Sequence, residues 1–215
     1  MPCYRPIDGY RCVETGGFST SRRTGFSDRP MTVPCGKCMG CRLERSRMWA
    51  VRCMHEAAMH EDNIWATLTY DDDNLPYMGD LCRPHIQKFI KRTRKKVPKL
   101  RTFYSGEYGD DTRRPHYHII LFGWRPDDGK VIREQDGIKY YTSEKLTKLW
   151  PHGLSEYTDV TFNNAAYTAG YTRKKITGDA AASHYETCDP ETGEIYNLTP
   201  EFGGMSLRPA IGLTW

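Results

Sequence analysis

The sequence predicts an α+β fold: a central antiparallel sheet with helices packed mainly on one face, plus a Cys-rich N-terminal extension. Three observations carry that prediction. Residues 64–70 (IWATLTY) are β-branched and aromatic, and their side chains alternate between two faces. Two further β-rich runs, 102–107 and 116–122, flank the loop GDDTRRP. Residues 41–62 and 84–97 repeat apolar side chains at helical steps. An antiparallel sheet layered with helices is the simplest packing of such a set.

The elements follow in order. Residues 1–34 are rich in Gly, Ser, Thr, Arg and Pro without sustained periodicity, and read as loop. The first helix, 41–62, places Leu43, Ala50, Cys53, Met54 and Ala57 at three- to four-residue steps. In the strand 64–70, Trp65, Thr67 and Thr69 share one face, and Ala66, Leu68 and Tyr70 the other. A second helix over 84–97 carries Ile86, Phe89, Ile90 and Val97 as its stripe, and Pro98 closes it. The next two strands pair as a hairpin. A short helix over 143–150 stops at Pro151, a strand covers 155–162, and Asn163 caps a helix running to about residue 176. The expected segments are residues 1–40 as the extension, 41–178 as the main domain, and 179–215 as a wrapping or linking tail.

Composition narrows the class. Of 215 residues, 38% are hydrophobic and 27% charged, enough to build and cover a core, which excludes a disordered or low-complexity chain. The longest apolar run, 119–122, is far too short to span a bilayer. Thirty-one basic against 27 acidic residues leave +4, so the placement of charge says more than its sum. The first residues lack the apolar core of a secretory signal, so the eight cysteines read as metal ligands or reactive thiols rather than disulfides. The expectation is a soluble intracellular protein with no membrane partner.

Two constellations carry chemistry. His116 and His118 lie two residues apart on a strand, so both imidazoles project from one face, a grip for a divalent metal. In the expected hairpin, Glu107 falls opposite His116 and adds a carboxylate oxygen. A His₂-carboxylate set leaves coordination positions open, as catalysis requires. The second constellation is Tyr167, Tyr171 and Lys174, spaced to share one helical face. Tyrosines at that spacing often serve as core packing, but a lysine on the same face suits an anionic substrate better. A phenol is a weak nucleophile until a nearby cation favours its ionised form.

Taken together, WATLTY, GEYG…RPHYHIILFG and YTAGYTRKK resemble the three motifs of the HUH superfamily of rolling-circle replication initiator (Rep) endonucleases. The resemblance is closest to the replication initiators of gokushoviruses, small single-stranded DNA phages of the microvirus group. The segment PCGKCMGCRLERSRMWAVRCMHEA extends it, so that it covers most of the chain to about residue 177. It implies an RRM-like or ferredoxin-like layer and a site-specific nickase and strand transferase of single-stranded DNA that starts rolling-circle replication. Glu107, His116 and His118 match the ligands of a catalytic Mn²⁺ or Mg²⁺. Tyr171 and Lys174 match the Y-x-x-K motif, with Tyr167 as the second tyrosine, and attack leaves a 5′-phosphotyrosyl link and a free 3′-OH. Tyr117 departs from the aliphatic residue usual between the two histidines. The implied partners are the phage replication origin and host helicase or replication machinery, in the host bacterial cytoplasm. A relaxase or transposase of the same superfamily, or a zinc-stabilised DNA-binding module without catalysis, are the alternatives.

Flanking features complete the picture. Basic residues crowd 83–101 without an acid, either as a solvated helix face or as a surface tracking DNA phosphates through Lys88, Lys91, Arg92 and Lys95. Arg113, Arg114, Arg173 and Lys175 extend that surface around the site. Cys35, Cys38 and Cys41 have zinc-compatible spacing, with Cys3 as the first choice of fourth ligand and Cys12 and Cys53 as alternatives. Asp71, Asp72 and Asp73 read as a solvated turn rather than a second metal site.

Overall fold

The computed structural model describes residues 3–215, which fall into two compact units divided between Arg45 and Ser46. In the first unit, β1 (Ile7–Cys12), β2 (Phe18–Ser19) and β3 (Gly25–Val33) form an antiparallel sheet in the order β2-β1-β3. The expected loop over residues 1–34 is therefore corrected. Most side chains of these strands are exposed or half-exposed, so no apolar alternation marks them; backbone pairing holds them instead. The helix α1 (Met39–Ala57) crosses the division.

The second unit is built on β4 (Asn63–Thr69), α2 (Arg83–Lys96), β5 (Arg101–Tyr108), β6 (Pro115–Phe122), β7 (Lys130–Gln135), β8 (Ile138–Thr142), α3 (Glu144–Leu149) and β9 (Ser155–Asp159). Then come α4 (Phe162–Thr168), α5 (Tyr171–Lys174), α6 (Ala180–Tyr185), β10 (Glu186–Cys188), β11 (Ile195–Asn197) and β12 (Phe202–Met205). Seven strands form one sheet in the order β12-β5-β6-β4-β9-β8-β7, with every pairing antiparallel. The expected α+β class is met.

Alternation along β4 sorts the sheet's two faces as the sequence implies. Ile64, Ala66, Leu68 and Tyr70 are buried, with Tyr117, Ile119 and Leu121 of β6, beneath Ile86 and Phe89 of α2 and Leu146 and Leu149 of α3. Burial of a side chain as large as Phe89 contributes about 2 kcal/mol. Helices also cover the second face. There Phe103, Ile120 and Phe122 cluster with Ala50 and Cys53 of α1 and Ala165 of α4. The helices are thus shared between both faces rather than held mainly to one.

Tyr117 explains its departure from an aliphatic residue. Its hydroxyl accepts from the Cys82 amide at 2.9 Å, donates to the Cys82 carbonyl at 2.9 Å, and meets the Tyr70 hydroxyl at 2.9 Å. Burial pushes this phenol up to about 12. Cys82 precedes α2, so Tyr117 ties the start of that helix to the central sheet.

Four features differ from expectation. The hairpin β7–β8 turns at Asp136 and Gly137, both with positive φ (52° and 76°), which is the Asp-Gly turn of a two-residue hairpin. β7 is exposed along its whole length, so apolar periodicity does not reveal it. The cap of α4 is Thr161, not Asn163: the Thr161 hydroxyl accepts from the Asn164 amide while Asn164 Oδ1 accepts from the Thr161 amide. The single helix expected to residue 176 is broken at Ala169 and Gly170, where the Gly170 amide bonds back to the Tyr167 carbonyl at 2.7 Å, three residues away. Glycine, a poor helix former, sits at the break. Finally, the aperiodic C-terminal stretch supplies β12, which closes the sheet edge against β5.

Candidate active site

Register sets the site. Across the sheet, Gly203 of β12 stands opposite Ser105 of β5, Ser105 opposite His118 of β6, His118 opposite Thr67 of β4, and Thr67 opposite Glu156 of β9. Directly opposed residues share a face, so these five form one row on the face away from α2. Glu107 pairs with His116 one step along the same face, as the hairpin predicts.

Glu107, His116 and His118 bring their ligand atoms within 4.8 Å of one another. Each is oriented by a neighbour. Ser105 Oγ donates to Glu107 Oε1 at 3.0 Å, His116 Nδ1 lies 3.2 Å from the Arg114 carbonyl, and His118 Nδ1 lies 3.2 Å from Thr67 Oγ1. His118 is 5% exposed and, among the described residues, its buried Nε2 has no hydrogen-bond partner. An orphaned imidazole nitrogen aimed at a second imidazole and a carboxylate is the arrangement a divalent cation satisfies. Burial, then His116 and Lys174, holds His118 well below the usual histidine range, so the ring stays neutral and keeps its lone pair. Trp65 stacks on His118 with centroids 4.9 Å apart, and its indole donates to Thr168 Oγ1 at 2.8 Å.

Tyr167 stands edge-on to His118, ring centroids 5.0 Å apart. Burial and the charge of Glu107 raise its phenol, and Lys174 opposes them. Lys174 Nζ lies 5.7 Å from the centre of the Tyr167 ring, 3.0 Å from Glu107 Oε2 and 3.1 Å from Asp110 Oδ1. Burial works against the Lys174 charge, but Glu107 and Asp110 outweigh it and hold the ammonium above its ordinary value. Tyr171 does not continue the Tyr167 helix face. Its ring packs over Gly203, where a Cβ would collide with it. After the break at Ala169–Gly170 the two phenols no longer share one helical stripe: Tyr167 stands against His118 of β6 and Tyr171 over Gly203 of β12.

The basic residues divide. Lys88, Lys91, Arg92 and Lys95 belong to α2, whose apolar side packs on the opposite face of the sheet, so the structure does not bring them to the cluster. Arg92 Nε donates to the Leu149 carbonyl at 2.9 Å, a tie to α3. Arg113 and Arg114 lie in the loop joining β5 and β6. Arg114 pairs with Asp72 at 2.7 Å, and Arg113 reaches His184 at 3.5 Å. Lys175 follows α5 directly, and the Arg173 side chain lies outside the described residues. Within the acidic turn, Asp71 Oδ1 accepts from the Asn74 amide at 2.9 Å. Sequence reasoning missed Thr67, Ser105 and Asp110. The first two were recoverable from alternation, being two residues from Trp65 and Glu107 on the same faces; the loop residue Asp110 carried no such signal.

In the N-terminal unit, Cys3, Cys35, Cys38 and Cys41 bring their sulfurs within 4.8 Å of one another, which favours Cys3 over Cys12 and Cys53 as the fourth member. The Cys38 and Cys35 thiols are lowered by backbone amides, Cys38 to about 6 through Cys41 and Tyr4. Burial pushes Cys41 up to about 12. Four thiols so close, two of them already biased toward thiolate, fit a thiophilic cation.

Among the described residues, no helix is long and apolar enough to cross a membrane. No solved structure matches the chain. The family model of the replication-associated protein ORF2/G2P matches residues 63–176, from the start of β4 to just past Lys174. The chain is 36% identical over 226 residues to replication-associated protein VP4 of Bdellovibrio phage phiMH2K, covering 100% of this chain and 67% of that one. It is 40% identical over 157 residues to replication-associated protein ORF2 of Spiroplasma virus 4 and 39% identical over 182 to replication-associated protein ORF4 of Chlamydia phage 1. Those alignments cover 67% and 79% of this chain, but only 49% and 42% of the relatives. The matched segment carries every residue of the Glu107–His116–His118 cluster together with Tyr167, Tyr171 and Lys174, and the chain belongs to the replication-associated protein ORF2/G2P family.

Proposed function

We propose that this protein initiates replication of a small single-stranded DNA phage by nicking and rejoining DNA at the origin through a tyrosine. The observation that carries the reading is the Tyr167 ring set 5.0 Å from His118, beside Glu107 and His116, with the buried Nε2 of His118 unpartnered among the described residues. Glu107, His116 and His118 would hold Mn²⁺ or Mg²⁺; nitrogen ligands favour Mn²⁺ in affinity, and abundance favours Mg²⁺. When bound, the ion supplies Lewis-acid stabilisation of negative charge on the scissile phosphate.

The chain's own residues do the rest. The phenol oxygen of Tyr167 or Tyr171 attacks phosphorus, the bond from phosphorus to the 3′ oxygen breaks, and the phenol proton ends on that oxygen. The products are a 5′-phosphotyrosyl link and a free 3′-OH. No water enters and no bond energy is lost, so the reverse attack rejoins the strand. Lys174 sits where it can counter phosphate charge, and Thr67 and Ser105 fix the ring and the carboxylate. The sulfurs of Cys3, Cys35, Cys38 and Cys41 would hold a structural Zn²⁺, which would tie the N-terminal unit together. The partners in this reading are origin DNA and host replication machinery such as a helicase, in the bacterial cytoplasm.

The test mixes protein, Mn²⁺ and end-labelled single-stranded origin DNA and looks for an adduct that survives denaturation. Either Tyr→Phe single variant retains an adduct and the Tyr167→Phe, Tyr171→Phe double variant forms none. An adduct persisting in the double variant overturns the tyrosine assignment.

A further inference from the structure

Beside the metal-donor cluster, the same sheet face opens into a cleft of about 450 Å³. Trp65, Tyr167 and His118 form one wall, shared with the candidate active site, and Arg133, Tyr140 and Glu156 form the other. We propose that this cleft is a nucleobase pocket that reads one unpaired base of the DNA strand beside the scissile phosphate. The inference rests on the nicking reading above and deepens it, because it assigns sequence preference to Trp65, Arg133, Tyr140 and Glu156, which the nicking chemistry does not use.

The walls have the surfaces that hold a base. The Trp65 ring is fixed by its stack on His118 and its hydrogen bond to Thr168, so no ordering is needed before a base meets it. Opposite, the Arg133 guanidinium lies 3.7 Å from the centre of the Tyr140 ring and pairs with Glu156 at 2.7 Å. The rim therefore offers planar donors, a carboxylate acceptor and an aromatic ring within one small space. Base edges are patterns of donors and acceptors, and base faces are π surfaces; this combination recognises both.

Location argues the same way. His118, Thr67 and Glu156 form one cross-strand row, so the cleft is continuous with the cluster over β6, β4 and β9. Strands stand about 4.8 Å apart, which puts β8 and its Tyr140 on the order of 15 Å from β6. That span brings the cleft within reach of a base whose own strand passes His118. The Arg133–Glu156 pair cancels its own charge, so the pocket adds preference without adding phosphate attraction.

The test uses a pool of single-stranded 20-mers of random sequence, bound without added divalent metal, with the retained fraction sequenced. Wild type, Tyr140→Ala and the control Glu134→Ala are compared; Glu134 stands opposite Lys139 in the register of the same exposed hairpin. Wild type and control are expected to enrich the same bases at several positions. Tyr140→Ala is expected to lose the preference at one position only, to bind the enriched sequence about 10-fold more weakly, and to keep an unchanged dependence of log Kd on log salt. Arg133→Ala is expected to lose preference at that same position. Enrichment by Tyr140→Ala that matches wild type at every position overturns the pocket and leaves the nicking reading standing. Failure of the wild type to retain any oligonucleotide overturns both.

Discussion

Lys174 Nζ lies 3.0 Å from Glu107 Oε2, so the cation that follows Tyr171 by three residues is already seated on the carboxylate of the metal-donor trio. Asp110 shares the ammonium at 3.1 Å. An ion bound by Glu107 and the two histidines draws on the same carboxylate, so the two cations compete for it. Lys174→Met is expected to leave Mn²⁺ affinity equal or tighter, read by calorimetric titration, and to lower the rate of DNA adduct formation about 100-fold. Weaker Mn²⁺ binding in Lys174→Met contradicts the competition.

Thr67 holds His118 by its Nδ1, leaving Nε2 open. Removing an outer partner of a metal ligand typically costs 10- to 100-fold in affinity. Thr67→Val keeps the shape and is expected to weaken Mn²⁺ binding by about 10-fold with little change in thermal midpoint.

Gly203 lies under the Tyr171 ring with no room for a methyl group. Gly203→Ala is expected to destabilise the protein by about 1–3 kcal/mol and to displace that phenol. In a Tyr167→Phe background, where only Tyr171 remains, the substitution is expected to abolish the adduct. In a Tyr171→Phe background it leaves the adduct in place.

Glu56 is 1% exposed and bonded to Arg101, to the Gly212 amide at 2.7 Å and to His60 at 3.3 Å. Burial alone raises its carboxyl, but Arg101, Gly212 and His60 outweigh it and hold the group below the ordinary glutamate value of 4.5. With the folded value depressed, the stabilisation is present above the unfolded value and is lost as pH falls through the folded one. Urea midpoints are expected to fall for wild type below about pH 4.5. Glu56→Gln is expected to lose about 2 kcal/mol at pH 7 and to lack that part of the acid dependence.

Cys38→Ser removes one of four sulfurs gathered within 4.8 Å. Metal analysis is expected to find one zinc per wild-type chain and substantially less in the variant. Equal zinc in both removes the cluster from the zinc assignment.

Local residue order determined much of this protein. The alternation of Trp65, Thr67 and Thr69 against Ala66, Leu68 and Tyr70, the hairpin that sets Glu107 opposite His116, and the stripe Ile86, Phe89 and Ile90 all follow from the strand and helix periods alone. These signals are legible because each buried face repeats within one element. Tertiary structure decided what no single element encodes. The sheet β1–β3 is held by backbone bonds between mostly exposed residues, so side-chain pattern says nothing of it. The break before Tyr171, its seat on Gly203, the ion pair of Lys174 with Glu107 and the placement of α2 behind the sheet depend on which segments meet. Side-chain chemistry and spacing name the groups. Only the packing of separate strands and helices sets the distances over which charge and orbital overlap act.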